Sequence, residues 1–146
     1  QSAPDLESAI RISFAGAAEV LAASDYADAC WIETVALEVA STNEPLRLVT
    51  AEIFESWIEA ASGWMEGHGV PADQARELGI AYITGLEGAF VLSRALRSRE
   101  PLLATGEMLV AAARAVLASE GAGPGAPSGH DRGVESRPSA TKGTRR

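Results

Sequence analysis

The stretch "GIAYITGLEGAFVLSRALRS", residues 79–98, decides the fold. It has the composition of a helix interior, yet it carries Gly79, Gly85 and Gly88 and sets the carboxylate Glu87 among apolar neighbours. A glycine inside a helix costs roughly 1 kcal/mol relative to alanine, a deficit that tight packing must offset. At about 100° per residue, Leu78, Ala81, Gly85, Gly88, Ala89, Leu92, Ala95 and Leu96 share one broad stripe. Ile80, Ile83, Glu87, Phe90, Val91 and Arg94 fall opposite. Both sides are apolar, so this helix is expected to be sandwiched between neighbours.

The flanking sequence is helical in both directions. Leu6, Ile10, Phe14, Ala17 and Leu21 recur at steps of three and four, which predicts a first helix over about residues 5–23 with Asp5 and Glu7 at its amino end. "SDY" interrupts, and "ADACWIETVALEVAST" resumes with Ile32, Val35, Ala36 and Val39. Pro45 suits the first turn of a longer third helix, whose stripe is Val49, Ile53, Trp57, Ala61 and Trp64 and which Gly67 and Gly69 close. The fourth helix starts at Pro71 and runs to about Ser98; the fifth starts at Pro101 and stops before Gly121. The expectation is an all-α five-helix bundle with short connections.

The last helix repeats the small-residue theme with Leu102, Gly106, Leu109, Ala113 and Val116. Two such seams side by side suit a four-helix bundle assembled across a two-fold axis from the last two helices of each chain. Periodicity alone equally permits both seams to pack inside one monomer.

Composition limits the function classes. The 146 residues give room for one domain with a real core. The single cysteine, Cys30, allows no intrachain disulfide and suits a reducing cytosol, so a cytoplasmic location is expected. No apolar run reads as long enough to span a bilayer, and no membrane partner is expected. The start "QSAPDLESAI" has neither an initiating Met nor the order of a signal peptide, and it reads as the start of a fragment.

Residues 1–119 hold 17 acidic against 7 basic side chains, a net −10 that repels a phosphate backbone. Residues 120–146, including "GAGPGAPSGHDRGVESRPSATKGTRR", hold 3 against 5 and almost no large apolar residue. They are expected to form a disordered tail after the folded domain of residues 1–119.

"GLEGAFVLSRALRSREPL", "DACWIETVALEVAS" and the turn "HGVPADQAREL" together resemble the carboxy-terminal half of TetR-family transcriptional regulators, in particular the LmrA/YxaF-like branch. The resemblance covers about residues 5–118, in helix order as well as local sequence. It implies that an amino-terminal helix-turn-helix binds operator DNA while the helical remainder forms a homodimer through its last two long helices and holds a pocket for a small lipophilic effector. The sequence departs from that pattern in lacking the helix-turn-helix, so DNA binding is implied for the parent protein only.

Little in the chain suggests catalysis or a cofactor. Cys30 beside Trp31 has no nearby histidine and reads as a buried thiol. His68, in "EGHGVP", suits the carboxy end of a helix, and His130 lies in the tail. Ser93 and Arg94 follow no nucleophile or phosphate-loop pattern, and Glu33 and Glu38 share no helical face as an acid/base pair. No enzyme activity, metal or cofactor is therefore expected. The reading is an effector-sensing and dimerisation domain of a repressor; the alternative is a small helical ligand or lipid carrier, or an enzyme, using the same cavity.

Two expectations name residues. The dimer seam is Gly85, Gly88, Ala89, Leu92, Leu96, Leu102, Gly106, Leu109 and Ala113. The effector cavity is lined by Phe14, Trp31, Phe54, Trp57, Ile58, Ile83, Glu87 and Phe90, with Glu87 contacting a lipophilic effector that is cationic or donates hydrogen bonds. Alternatively, Glu87 is satisfied by Arg94 or a backbone group, and the aromatics fill the core.

Overall fold

A computed structural model describes residues 5–28 and 30–121. The expected tail lies outside these residues from position 122 on. Five helices follow in order: α1 (Leu6–Ala23), α2 (Trp31–Val39), α3 (Glu44–Glu66), α4 (Ala72–Leu96) and α5 (Glu100–Gly121). Among the described residues there is no strand, and the all-α class stands.

Local chemistry sets the helix starts. Asp5 accepts a hydrogen bond from the Ser8 amide at 2.8 Å, and Asn43 accepts one from the Leu46 amide at 3.2 Å, each satisfying an amide that the first turn leaves unpaired. Cys30 caps α2 less conventionally, its sulfur accepting from the Glu33 amide at 3.5 Å. Pro71 starts α4 by its fixed backbone, without a side-chain cap. Asp25 and Tyr26 turn the chain after α1 in left-handed conformations, φ 53° and 61°. Arg97 ends α4 in the same conformation, pairs with Asp25 and lies 5.9 Å over the Tyr26 ring, tying the two bends together.

The helices pack in the order α1, α5, α4, α3, with α2 resting on α3. Helices α1 and α5 run antiparallel, as Glu7 pairs with Arg114, Arg11 with Glu107 and Glu19 with Arg99. Exposed pairs of this kind contribute at most about 1 kcal/mol each. They mark register more than they stabilise. The core beneath them is Leu6, Ile10, Phe14, Ala18 and Leu21 of α1 with Leu102, Leu109, Val110 and Ala113 of α5.

Two stripes differ from their sequence assignment. On α4 the buried line is Ala75, Leu78, Gly79, Ala89 and Ser93, with Tyr82, Leu86 and Phe90 half-buried, and it runs between the two expected stripes. Ala81, Gly88, Leu92, Ala95 and Leu96 are exposed. On α3 the buried residues are Thr50, Ala61, Ser62 and Met65, whereas Val49 is exposed and Ile53, Trp57 and Trp64 are half-buried. The cause is close approach: α3 and α4 touch where Ser62 faces Gly79, and small residues line that contact. Bulkier rings are pushed to its margins.

The glycines of the opening stretch thus have separate explanations. A Cβ on Gly79 would sit 2.5 Å from Ser62 Oγ and 3.1 Å from the Ile58 carbonyl oxygen. One on Gly85 would meet Thr105 Cγ2 of α5 at 2.9 Å. Gly88 faces open space.

Helix α5 corrects one reading of the sequence. Its stretch Glu100–Ser119 is long and apolar enough to cross a membrane by length and composition, although only 28% of it is buried. It packs on α1 and α4 as a bundle helix and leaves an apolar edge uncovered.

Candidate functional site

The rings displaced from the α3–α4 contact border a cleft with two lobes. In the first, of about 400 Å³, Phe54 and Ile58 of α3 face Ile83, Thr84, Glu87, Gly88 and Val91 of α4, with Glu33 of α2 closing one side. The second, of about 370 Å³, is walled by Trp57, Ala60, Ala61 and Trp64 of α3 with Tyr82 and Ile83 of α4, and Ser13 of α1 reaches its edge. Ile83 lines both. Such volumes match small-molecule sites, which are mainly apolar with a few polar groups.

Glu87 is the unusual member. Its Oε2 is buried without a hydrogen-bond partner, and Glu87 forms no ion pair among the described residues. Arg94, the partner considered from sequence, instead lines the grooves beside α2. Burial pushes the Glu87 carboxyl above its ordinary value of 4.5, the Cys30 thiol counters this by hydrogen bonding, and the charge of Glu33 adds to the rise. Burial likewise pushes the Cys30 thiol up, with the nearby Glu87 charge acting in the same direction. A thiol in that setting stays protonated at neutral pH and is a poor nucleophile.

A raised carboxyl pKa has a definite sign in stability. The protonated form is the one folding favours, so this contribution is complete below the unfolded value near 4.5 and is lost as pH rises through the folded one. Glu87→Gln, which removes the charge and keeps the shape, is expected to stabilise the chain at neutral pH. Glu87 retains some solvent contact, so the gain belongs near the low end of the range for an unsatisfied buried group, about 1 kcal/mol. Urea unfolding should show the gap closing below pH ~4.5. A variant less stable than the parent at neutral pH would mean that the carboxylate is satisfied in the fold.

Of the residues expected at the cavity, Phe54, Ile58, Ile83 and Glu87 come together in one lobe, and Trp57 stands in the other. Phe14 does not line the cleft: it is buried in the core, edge-on to Tyr82 at 5.3 Å and against Gly106. Phe90 packs on the core, and Trp31 is 73% exposed at the start of α2. Glu33, Tyr82 and Ser13 were not anticipated at the cleft. Ser13 and Tyr82 share a short hydroxyl–hydroxyl hydrogen bond across α1 and α4.

The expected seam divides in the same way. Ala89, Leu102, Gly106, Leu109 and Ala113 are buried by the chain's own helices, and Gly85 is half-buried beside Thr105. Gly88, Leu92 and Leu96 remain exposed. His68 Nδ1 lies 2.8 Å from the Trp64 carbonyl oxygen at the end of α3. Among the described residues no three His, Cys, Asp or Glu side chains converge as a metal site.

Residues 7–108 match the family model described as "Transcriptional regulator LmrA/YxaF-like, C-terminal domain". An uncharacterised HTH-type transcriptional regulator of Mycobacterium tuberculosis is 29% identical over 87 residues, 56% of this chain and 45% of that protein. The uncharacterised HTH-type transcriptional regulator YxaF of Bacillus subtilis is 31% identical over 75 residues, 51% of this chain and 39% of that protein. The chain thus spans less than half the length of these curated relatives. No solved structure matches.

Proposed function

This chain belongs to the LmrA/YxaF-like C-terminal domain family of transcriptional regulators, and from that premise we propose that it is the effector-sensing and dimerisation part of a cytoplasmic TetR-type repressor. The observation that carries the sensing role is the two-lobed α3–α4 cleft with an unpaired carboxylate at its wall. Burial pushes the Glu87 carboxyl up, a cost to the folded chain at neutral pH that a ligand at this wall would offset. The observation that supports dimerisation is the uncovered apolar edge of α4 and α5, where Leu92 is 54% and Met108 72% exposed.

In this reading, operator recognition belongs to a helix-turn-helix outside these 146 residues, of the kind named for the relatives. The helical body, net −10 over residues 1–119, supplies no surface that releases counterions from duplex DNA. The reading assigns the chain no catalytic step: Cys30, whose thiol burial pushes up, is a weak nucleophile beside a carboxylate.

Two measurements on the 146-residue chain test this reading. Sedimentation at micromolar concentration is expected to give a dimer, and duplex DNA at about 0.15 M salt should show no sequence-selective retention. A monomer removes the dimerisation role. Tight, sequence-selective DNA binding by this chain would overturn the division of labour.

A further inference from the structure

The two lobes of the cleft differ in chemistry. Trp57, Trp64 and Tyr82 make one lobe aromatic, with hydroxyls at its edge. Glu33 and Glu87 make the other anionic against Phe54, Ile58 and Val91. Phe54 and Trp57 join the lobes along α3, their rings edge-to-face with centroids 5.4 Å apart. None of the residues lining either lobe carries a positive charge.

We propose that the cleft takes a two-ended ligand, an aromatic ring seated among Trp57, Trp64 and Tyr82 and joined across Ile83 to an ammonium group held by Glu87 and Glu33. This rests on the cleft being the effector site. A cation in this lobe pairs with the Glu87 carboxylate in a charge-assisted hydrogen bond and relieves the repulsion between the two carboxylates. It also gains attraction from the Phe54 ring beside it. A neutral donor supplies the hydrogen bond without relieving the repulsion, and an anionic ligand meets two like charges. The ring and the cation occupy separate lobes, so neither half alone fills the site.

The test compares phenylbutylamine, phenylbutanol, phenylbutyrate and butylamine as probes of the 146-residue chain, read by tryptophan fluorescence and by thermal midpoint. Phenylbutylamine should bind about tenfold or more tighter than phenylbutanol, with phenylbutyrate and butylamine weaker still. Glu87→Gln should bring the amine down to the alcohol and leave the alcohol unchanged. Val91→Arg, at a position 46% exposed that accepts a long side chain, should place a competing guanidinium in the anionic lobe and expel the amine selectively. Ile83→Trp should fill the junction and block all three ring-bearing probes.

If the alcohol binds as tightly as the amine, or if both Glu87→Gln and Val91→Arg leave their ratio intact, the ammonium assignment is overturned while the cleft remains the effector site. If no probe saturates, or if a folded Ile83→Trp variant binds all of them unchanged, the cleft reading and the two-ended ligand fall together.

Discussion

Gly79→Val is expected to lower the thermal midpoint by about 10 °C, on the order of 3 kcal/mol for overpacking in a domain of this size. The opposing effect is real: valine is the better helix residue by several tenths of a kcal/mol. It is outweighed because of what stands opposite position 79. Ser62 Oγ, 2.5 Å from where a Cβ would be, donates to the Ile58 carbonyl at 2.7 Å and could rotate away. The Ile58 carbonyl oxygen at 3.1 Å and the Ser62 amide nitrogen at 3.2 Å are backbone and can yield only if α3 moves. Moving α3 also opens the cleft, so the variant should lose ligand binding along with stability.

Two controls sharpen this expectation. Gly63→Ala, on the exposed side of α3 with nothing near its Cβ position, should stabilise by about 0.5–1 kcal/mol. Gly79→Ala combined with Ser62→Ala should cost less than the two changes summed, since one removes the nearest atom that the other strikes. A Gly79→Val variant melting with the parent would show that α3 and α4 can separate freely.

The same contact explains which parts of the molecule were legible in sequence. Helix order and ends were readable because their causes are local: Asp5, Asn43 and Pro71 act within one turn of themselves. Facing was less so. Helix α4 is apolar on both sides of its wheel, and no local pattern says which line its neighbours cover. On α3 the decisive feature is the smallness of Ala61 and Ser62, whereas periodicity weights Trp57 and Trp64 more heavily. Phe54, Ile58, Ile83 and Glu87 could be grouped because each pair lies one turn apart on its own helix. Glu33 could not be joined to them, since α2 meets the cleft only through the tertiary fold. Phe14 and Phe90 were misplaced for a related reason: aromatic character does not distinguish a core ring from a wall ring.

Leu92→Glu combined with Met108→Glu is expected to convert the chain from dimer to monomer, weakening association about a hundredfold or more, the scale set by truncating central interface residues. The choice of face follows from the charges on α5. Glu107 and Arg114 point toward α1, where they pair with Arg11 and Glu7. The opposite edge holds Ala104, Met108, Ala111, Ala112 and Ala115, all exposed and none charged. Beside it, α4 exposes Ala81, Gly88, Leu92 and Ala95. Small residues along both helices permit close approach by a second copy, and a stable dimer needs roughly 600–1,000 Å² from each partner. Neither substituted side chain supports the monomer's core, so the variant should keep its helicity and cooperative unfolding while sedimenting as a monomer. Gly88→Leu should act in the same direction by bulk alone, as its Cβ position is open within one chain. Gly106→Val, by contrast, would strike Phe14 Cβ from 2.9 Å and should unfold the chain rather than separate two folded copies. If Leu92→Glu with Met108→Glu remains dimeric, the copies meet elsewhere and the apolar edge of α4 and α5 is covered by another partner.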